Sequence, residues 1–140
     1  MTAGSFALAF AAGLAGAGLY LNIVEQPARL ALDDAAMLRE WGPSDRRGNA
    51  LMAALALLAA IAGLSAYFES GDVRFAIGAV IAAASWPYSL YVMGPVNNQI
   101  IGLTARDLGA ARALVSQWGL LEYGQTVIAL AATATFLWAL

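Results

Sequence analysis

Four long apolar stretches, Phe6 to Val24, Ala50 to Phe68, Val73 to Val96 and Gly119 to Leu140, constrain this chain more than any motif in it. Each approaches the roughly 20 residues that a helix rising about 1.5 Å per residue needs to cross about 30 Å of hydrocarbon. With 61% hydrophobic and 11% charged residues in 140, and a mean hydropathy of +0.71, the chain lies well beyond an ordinary soluble domain. The predicted fold class is all-α. A single four-helix transmembrane bundle covers 1–140, with spans near 5–25, 46–68, 73–94 and 115–139 and short interfacial helices between them. The expected setting is a lipid bilayer, as an integral protein of a bacterial inner membrane.

Cysteine and histidine are both absent. Disulfides, thiolate chemistry, haem ligation through His or Cys, and the usual zinc and copper ligands are thereby removed, so neither a metal nor a cofactor is expected. A bundle di-iron site needs Glu-x-x-His pairs, which this chain does not have. A net charge of −2, with arginine as the only basic residue type, gives no nucleic-acid surface. The run from Met1 to Gly18 lacks a basic n-region and is longer than a signal peptide's apolar core, so it reads as a retained first helix.

Pro27 biases Gln26 away from helical backbone, which predicts that helix one kinks or ends at Glu25-Gln26. Ala28 to Trp41, with Leu30, Met37, Leu38 and Trp41 among charged residues, is expected to form an amphipathic interfacial helix. Gly42-Pro43-Ser44-Asp45 is expected to turn, with Ser44 as N-cap of helix two; Ser70-Gly71-Asp72 makes a tight hairpin to helix three. Pro87 interrupts helix three and Gly94-Pro95 ends it. A second interfacial stretch, Ile100 to Ser116, leads into a helix four beginning near Ala105. Arg29, Arg39, Arg46, Arg47, Arg106 and Arg112 then share one side and Arg74 is alone on the other. The positive-inside rule makes the arginine-rich side cytoplasmic and both termini extracytoplasmic. Ala9, Gly13 and Ala17 recur every four residues, a pattern that serves intrachain packing first and a homo-oligomer second.

Carboxylates in or near hydrocarbon cost several kcal/mol and default to a functional reading. Glu25 and Glu122 are the two here, expected with Asn97 and Asn98 as the catalytic set. Asn49, Gln26, Arg29 and Gln125 belong to the same end of the bundle, where Tyr88, Tyr91 and Trp118 supply an aromatic wall. Together they describe a substrate-binding pocket for a flat, weakly polar molecule. Structural readings stand beside the functional ones: the Asn97-Asn98-Gln99 run can cap a helix end, Glu25 can pair with Arg29, and the aromatics can serve packing.

The segment Trp86-Pro87-Tyr88-Ser89-Leu90-Tyr91-Val92-Met93-Gly94-Pro95-Val96-Asn97-Asn98-Gln99 resembles the third-helix signature of small membrane proteins related to fungal anthrone oxygenases. Gln26-Pro27-Ala28-Arg29 after a Gly-rich first helix, and Trp118 opening the fourth, agree with it. The resemblance implies a cofactor-free monooxygenase that converts a polycyclic anthrone to a quinone, with a carboxylate as base and amides holding the oxyanion. Two other readings remain open: a small multidrug-type transporter, and a non-catalytic protein that binds a lipophile or a partner.

Overall fold

A computed structural model describes residues 2–103 and 107–140. They form four long helices: α1 (Ala3–Leu30), α2 (Asp34–Ser70), α3 (Val73–Ile101) and α4 (Leu108–Ala139). Each is long and apolar enough to cross a membrane, and no strand occurs among the described residues, so the fold is an all-α bundle with four candidate membrane spans. The α2–α3 hairpin is the tight one the sequence predicts. Gly71 takes the left-handed conformation (φ 73°) and its amide donates to the Tyr67 carbonyl, while Asp72 caps α3 by accepting from the Arg74 amide at 2.9 Å.

All four prolines of the sequence lie inside helices, and this corrects several expected boundaries. Pro27 does not end α1: the chain widens into a π-turn at Leu21–Glu25 and continues helically to Leu30. A proline ring clashes with the carbonyl four residues earlier, here Ile23, and the wider turn lies over that position. The same device recurs in α3, where the π-turn Ser89–Met93 precedes Pro95 and the helix runs on to Ile101. Gly42-Pro43-Ser44-Asp45 is not a turn, and Ser44 is not an N-cap. Asp33 caps α2 instead, accepting from the Ala36 amide at 2.8 Å, and the helix passes through Pro43 for 37 residues. Pro43 removes one ladder bond, whereas this segment gains several contacts from Arg29 described below. The expected interfacial helix over 28–41 is therefore divided between the end of α1 and the start of α2. Ala105 and Arg106 lie outside the described residues.

At the hairpin end the core is built of small residues, Ala7, Ala11, Ala59, Ala79 and Ala132, around Phe136. The Phe136 ring is wedged between two helices: a Cβ on Gly63 would sit 2.7 Å from it and one on Gly78 2.5 Å. Backbone thus approaches backbone closely, as small residues permit in membrane bundles. On α1 the buried stripe is Gly4, Ala7, Ala11, Ala15 and Gly18; Ala9 and Gly13 are exposed, one step around the helix from it. The other end is packed with larger side chains, among them Met37, Trp41, Met93, Val115 and Trp118. From Ser89 onward α3 packs chiefly on α4, so α2 and α3 diverge there and open the bundle.

Candidate functional site

The divergence leaves a cavity of about 420 Å³. Ser44, Asp45, Arg46, Asn49, Met52 and Ala53 of α2 line one side. Ser85, Trp86, Ser89, Met93 and Asn97 of α3, Trp118, Glu122 and Gln125 of α4, and Leu21 of α1 complete it. Its walls carry groups without protein partners. The indole Nε1 of Trp118 and the Oδ1 of Asn97 are buried with no hydrogen bond. The carboxyl of Glu122, 6% exposed, makes none to the described residues either. Asp45 brings a second carboxyl beside the Trp118 indole, within electrostatic reach of both Arg29 and Glu122. Buried polar atoms are nearly always paired, so the bare Glu122 carboxyl on the cavity, with two unsatisfied atoms within its walls, is a feature of a binding site.

Other polar groups hold the walls in place. Ser85 Oγ donates to Gln125 Oε1 at 2.6 Å and the Gln125 amide donates back to the Ser85 carbonyl at 3.2 Å, which ties α4 to the irregular turn before Pro87. The Tyr88 hydroxyl donates to the Leu121 carbonyl at 2.7 Å and reaches over Gly124, where any Cβ would collide with it. Asn22 donates to Thr126 Oγ1 at 2.7 Å, over the close approach of Gly18 to Thr126.

Behind Trp118 lies a charged cluster. Arg29 is 1% exposed and donates to Glu25 at 2.8 Å, Gln26 at 2.7 Å, Ser44 at 3.0 Å and also Glu40. Its guanidinium sits 5.2 Å from the centre of the Trp118 ring, and Trp41 meets that ring edge-on at 6.0 Å. Gln26 also donates to the Val115 carbonyl at 2.9 Å, lying directly on Gly119. Ser44 belongs to both assemblies: it lines the cavity and its hydroxyl donates to Glu25.

Of the residues singled out in the sequence, Glu122, Asn97, Asn49, Trp118 and Gln125 line the cavity. Glu25, Gln26 and Arg29 form the cluster behind it, and Tyr88 braces α3 on α4. Tyr91 is 78% exposed and Asn98 is also exposed, both pointing away from the cavity. The expected face Tyr88–Tyr91–Pro95–Asn98 is broken by the π-turn, which rotates Met93 and Asn97 inward. Asp45, Ser44, Ser85 and Trp86 were not expected at the site. Asp45 and Asn49 are four apart, a shared face visible once α2 is known to be helical through Pro43.

The sequence pattern of the family described as anthrone oxygenase matches residues 41–135, which include every cavity-lining side chain except Leu21. The chain belongs to the anthrone oxygenase family. No curated protein and no solved structure matches it.

Proposed function

We propose that this anthrone oxygenase family member oxidises a flat, lipophilic, anthrone-like ketone with molecular oxygen and without a cofactor, in the cavity between α2, α3 and α4. The observation that carries the reading is the bare Glu122 carboxyl on a cavity whose walls also include Trp118 and Asn97. The methylene of an anthrone is acidic because its carbanion is an enolate spread over two rings. Glu122 takes one methylene proton, and the Trp118 N–H and the Asn97 amide stabilise the oxygen on which charge collects.

The enolate passes one electron to O2, and the radical pair joins to form a carbon–oxygen bond. The peroxide anion is protonated by the Glu122 carboxylic acid. Loss of the second methylene proton to Glu122 then breaks the O–O bond, giving a carbonyl and hydroxide, which that proton converts to water. One O2 supplies one oxygen to the quinone and one to water. Ser44 and Glu25 connect the cavity to a carboxylate whose side chain is 27% exposed, a route by which protons equilibrate with solvent.

Oxygen uptake by the reconstituted protein with anthrone tests the reading. Glu122→Gln keeps the shape of the side chain and its hydrogen-bonding capacity but removes the base, so binding of anthraquinone should persist while uptake falls by about 10²-fold or more. Undiminished uptake would overturn the role of Glu122. Proton-coupled efflux of a lipophilic cation that Glu122→Gln abolishes, with no oxygen uptake from the wild type, would favour the transporter reading instead.

A further inference from the structure

Trp86 is shared by the linings of the cavity and of a second, apolar hollow of about 220 Å³, whose other walls are Leu57, Ala60 and Ala83. Both hollows lie along the seam between α2 and α3, and the indole divides them. The indole is fastened across the seam by one bond, from Nε1 to the Ala53 carbonyl at 3.1 Å. About one turn further on, Ser89 Oγ donates to Asn49 Oδ1 at 3.2 Å. Among the described residues these two are the hydrogen bonds that close the seam beside the cavity.

The depth of this closure matters. At about 1.5 Å of rise per residue, Ala53 lies about 10 Å along α2 from Arg46, and Trp86 about 20 Å along α3 from Val73. That stretch of the seam is flanked by exposed Leu57 and Leu90 and faces hydrocarbon. The aqueous end of the cavity is instead edged by Asp45 and Arg46. A flat, uncharged polycycle concentrates in lipid, and the charged end offers it nothing before it is desolvated.

We propose that the cavity is loaded sideways from the bilayer through the α2–α3 seam, and that Trp86 is the gate and the selector of planar molecules. The lipid-dissolved molecule lodges in the Leu57–Ala60–Ala83 hollow. Release of the single indole bond to Ala53 lets the ring swing, and the newcomer slides past the ring face into the cavity. Breaking that bond leaves the Ala53 carbonyl within its own helix, so the motion strands only one donor. This rests on the reading of the cavity as a site for a flat lipophile, but it concerns admission and not chemistry.

The test uses the full chain in vesicles mixed with vesicles preloaded with anthraquinone, following the rate of quenching of tryptophan fluorescence, for which Trp118 is the cavity reporter. Trp86→Ala should bind severalfold faster and lose discrimination between anthraquinone and a bulky non-planar ketone of similar size. Ala83→Phe fills the outer hollow on the lipid side of Trp86, and should slow binding severalfold. Equal rates in wild type, Trp86→Ala and Ala83→Phe would overturn the gate, whether or not the protein consumes oxygen. Faster binding when anthraquinone is supplied from detergent-free water than from lipid would overturn it too. Gate-dependent binding without oxygen uptake would leave the gate standing and remove the oxygenase.

Discussion

The guanidinium of Arg29 on α1 lies 5.2 Å from the centre of the Trp118 ring on α4, placing a buried cation against the back of a cavity wall. The same guanidinium holds Glu25, Gln26 and Ser44, so one side chain fixes the indole's rear face and gathers three helices around it.

Arg29→Met should therefore do more damage than the loss of a surface charge. Removing the buried cation leaves the partly exposed carboxylates of Glu25 and Glu40 uncompensated and the Gln26 side-chain carbonyl without its donor, an effect of about 1–3 kcal/mol. Unfolding of the reconstituted protein in denaturant measures it. Arg29→Lys should recover only part, because an ammonium cannot reproduce the fork that meets Glu25, Glu40 and Gln26 together.

Gly124 lies under the Tyr88 hydroxyl, and a Cβ there would overlap it. Gly124→Ala should destabilise by about 1–3 kcal/mol through overpacking. Adding Tyr88→Ala removes both the oxygen and the ring carbon that lies 2.4 Å from that Cβ, and in that background Gly124→Ala should cost little, a coupling that a double-mutant cycle reads directly. Additive effects would mean that α3 and α4 yield instead of clashing.

At the hairpin, hydrogen bonds from the Arg74 side chain and amide hold the Asp72 carboxyl below its ordinary pKa. A depressed folded-state pKa contributes stability that is present above the unfolded value and is lost as pH falls through the folded one. The difference in Tm between wild type and Asp72→Asn should thus be largest near neutrality and vanish under acid conditions below the ordinary carboxylate range. A difference that grows on acidification would contradict the assignment.

Orientation is open to direct measurement, since the chain has no cysteine of its own. With the arginine-rich end cytoplasmic, Glu69→Cys should react with an impermeant thiol reagent from outside the cell and Arg47→Cys should not. The opposite pattern would invert the bundle.

The four spans, the Ser70–Asp72 hairpin and the gathering of Asn49, Asn97, Trp118, Glu122 and Gln125 at one end were legible because hydropathy and hairpin order decide them. Pro43 hid Asp45 and Ser44. Local rules read Gly-Pro-Ser-Asp as a turn, whereas the contacts that keep this segment helical come from Arg29, remote in sequence. Tyr91 and Asn98 point away from the cavity because nothing in a regular 3.6-residue count announces a π-turn. The Trp86–Ala53 bond was equally invisible, since a backbone carbonyl carries no side-chain signature.

The two π-turns have a consequence for how this sequence tolerates change in length. Each adds one residue to a turn, and one residue is about 100° of rotation on a helix. The apolar half of α1 and its polar half, Gln26 to Leu30, are therefore out of phase by that angle, as are the two halves of α3 around Ser89–Met93. Inserting a further residue into Leu21–Glu25 that the turn cannot absorb would rotate Gln26 to Leu30 by that angle and carry Arg29 out of its socket toward lipid, whereas deleting one would close the π-turn to a regular one with Arg29 in place. The same insertion in Ser89–Met93 would swing Asn97 away and bring its exposed neighbours inward. Length at these two places is thus as much a determinant of the site as the identity of any side chain that lines it.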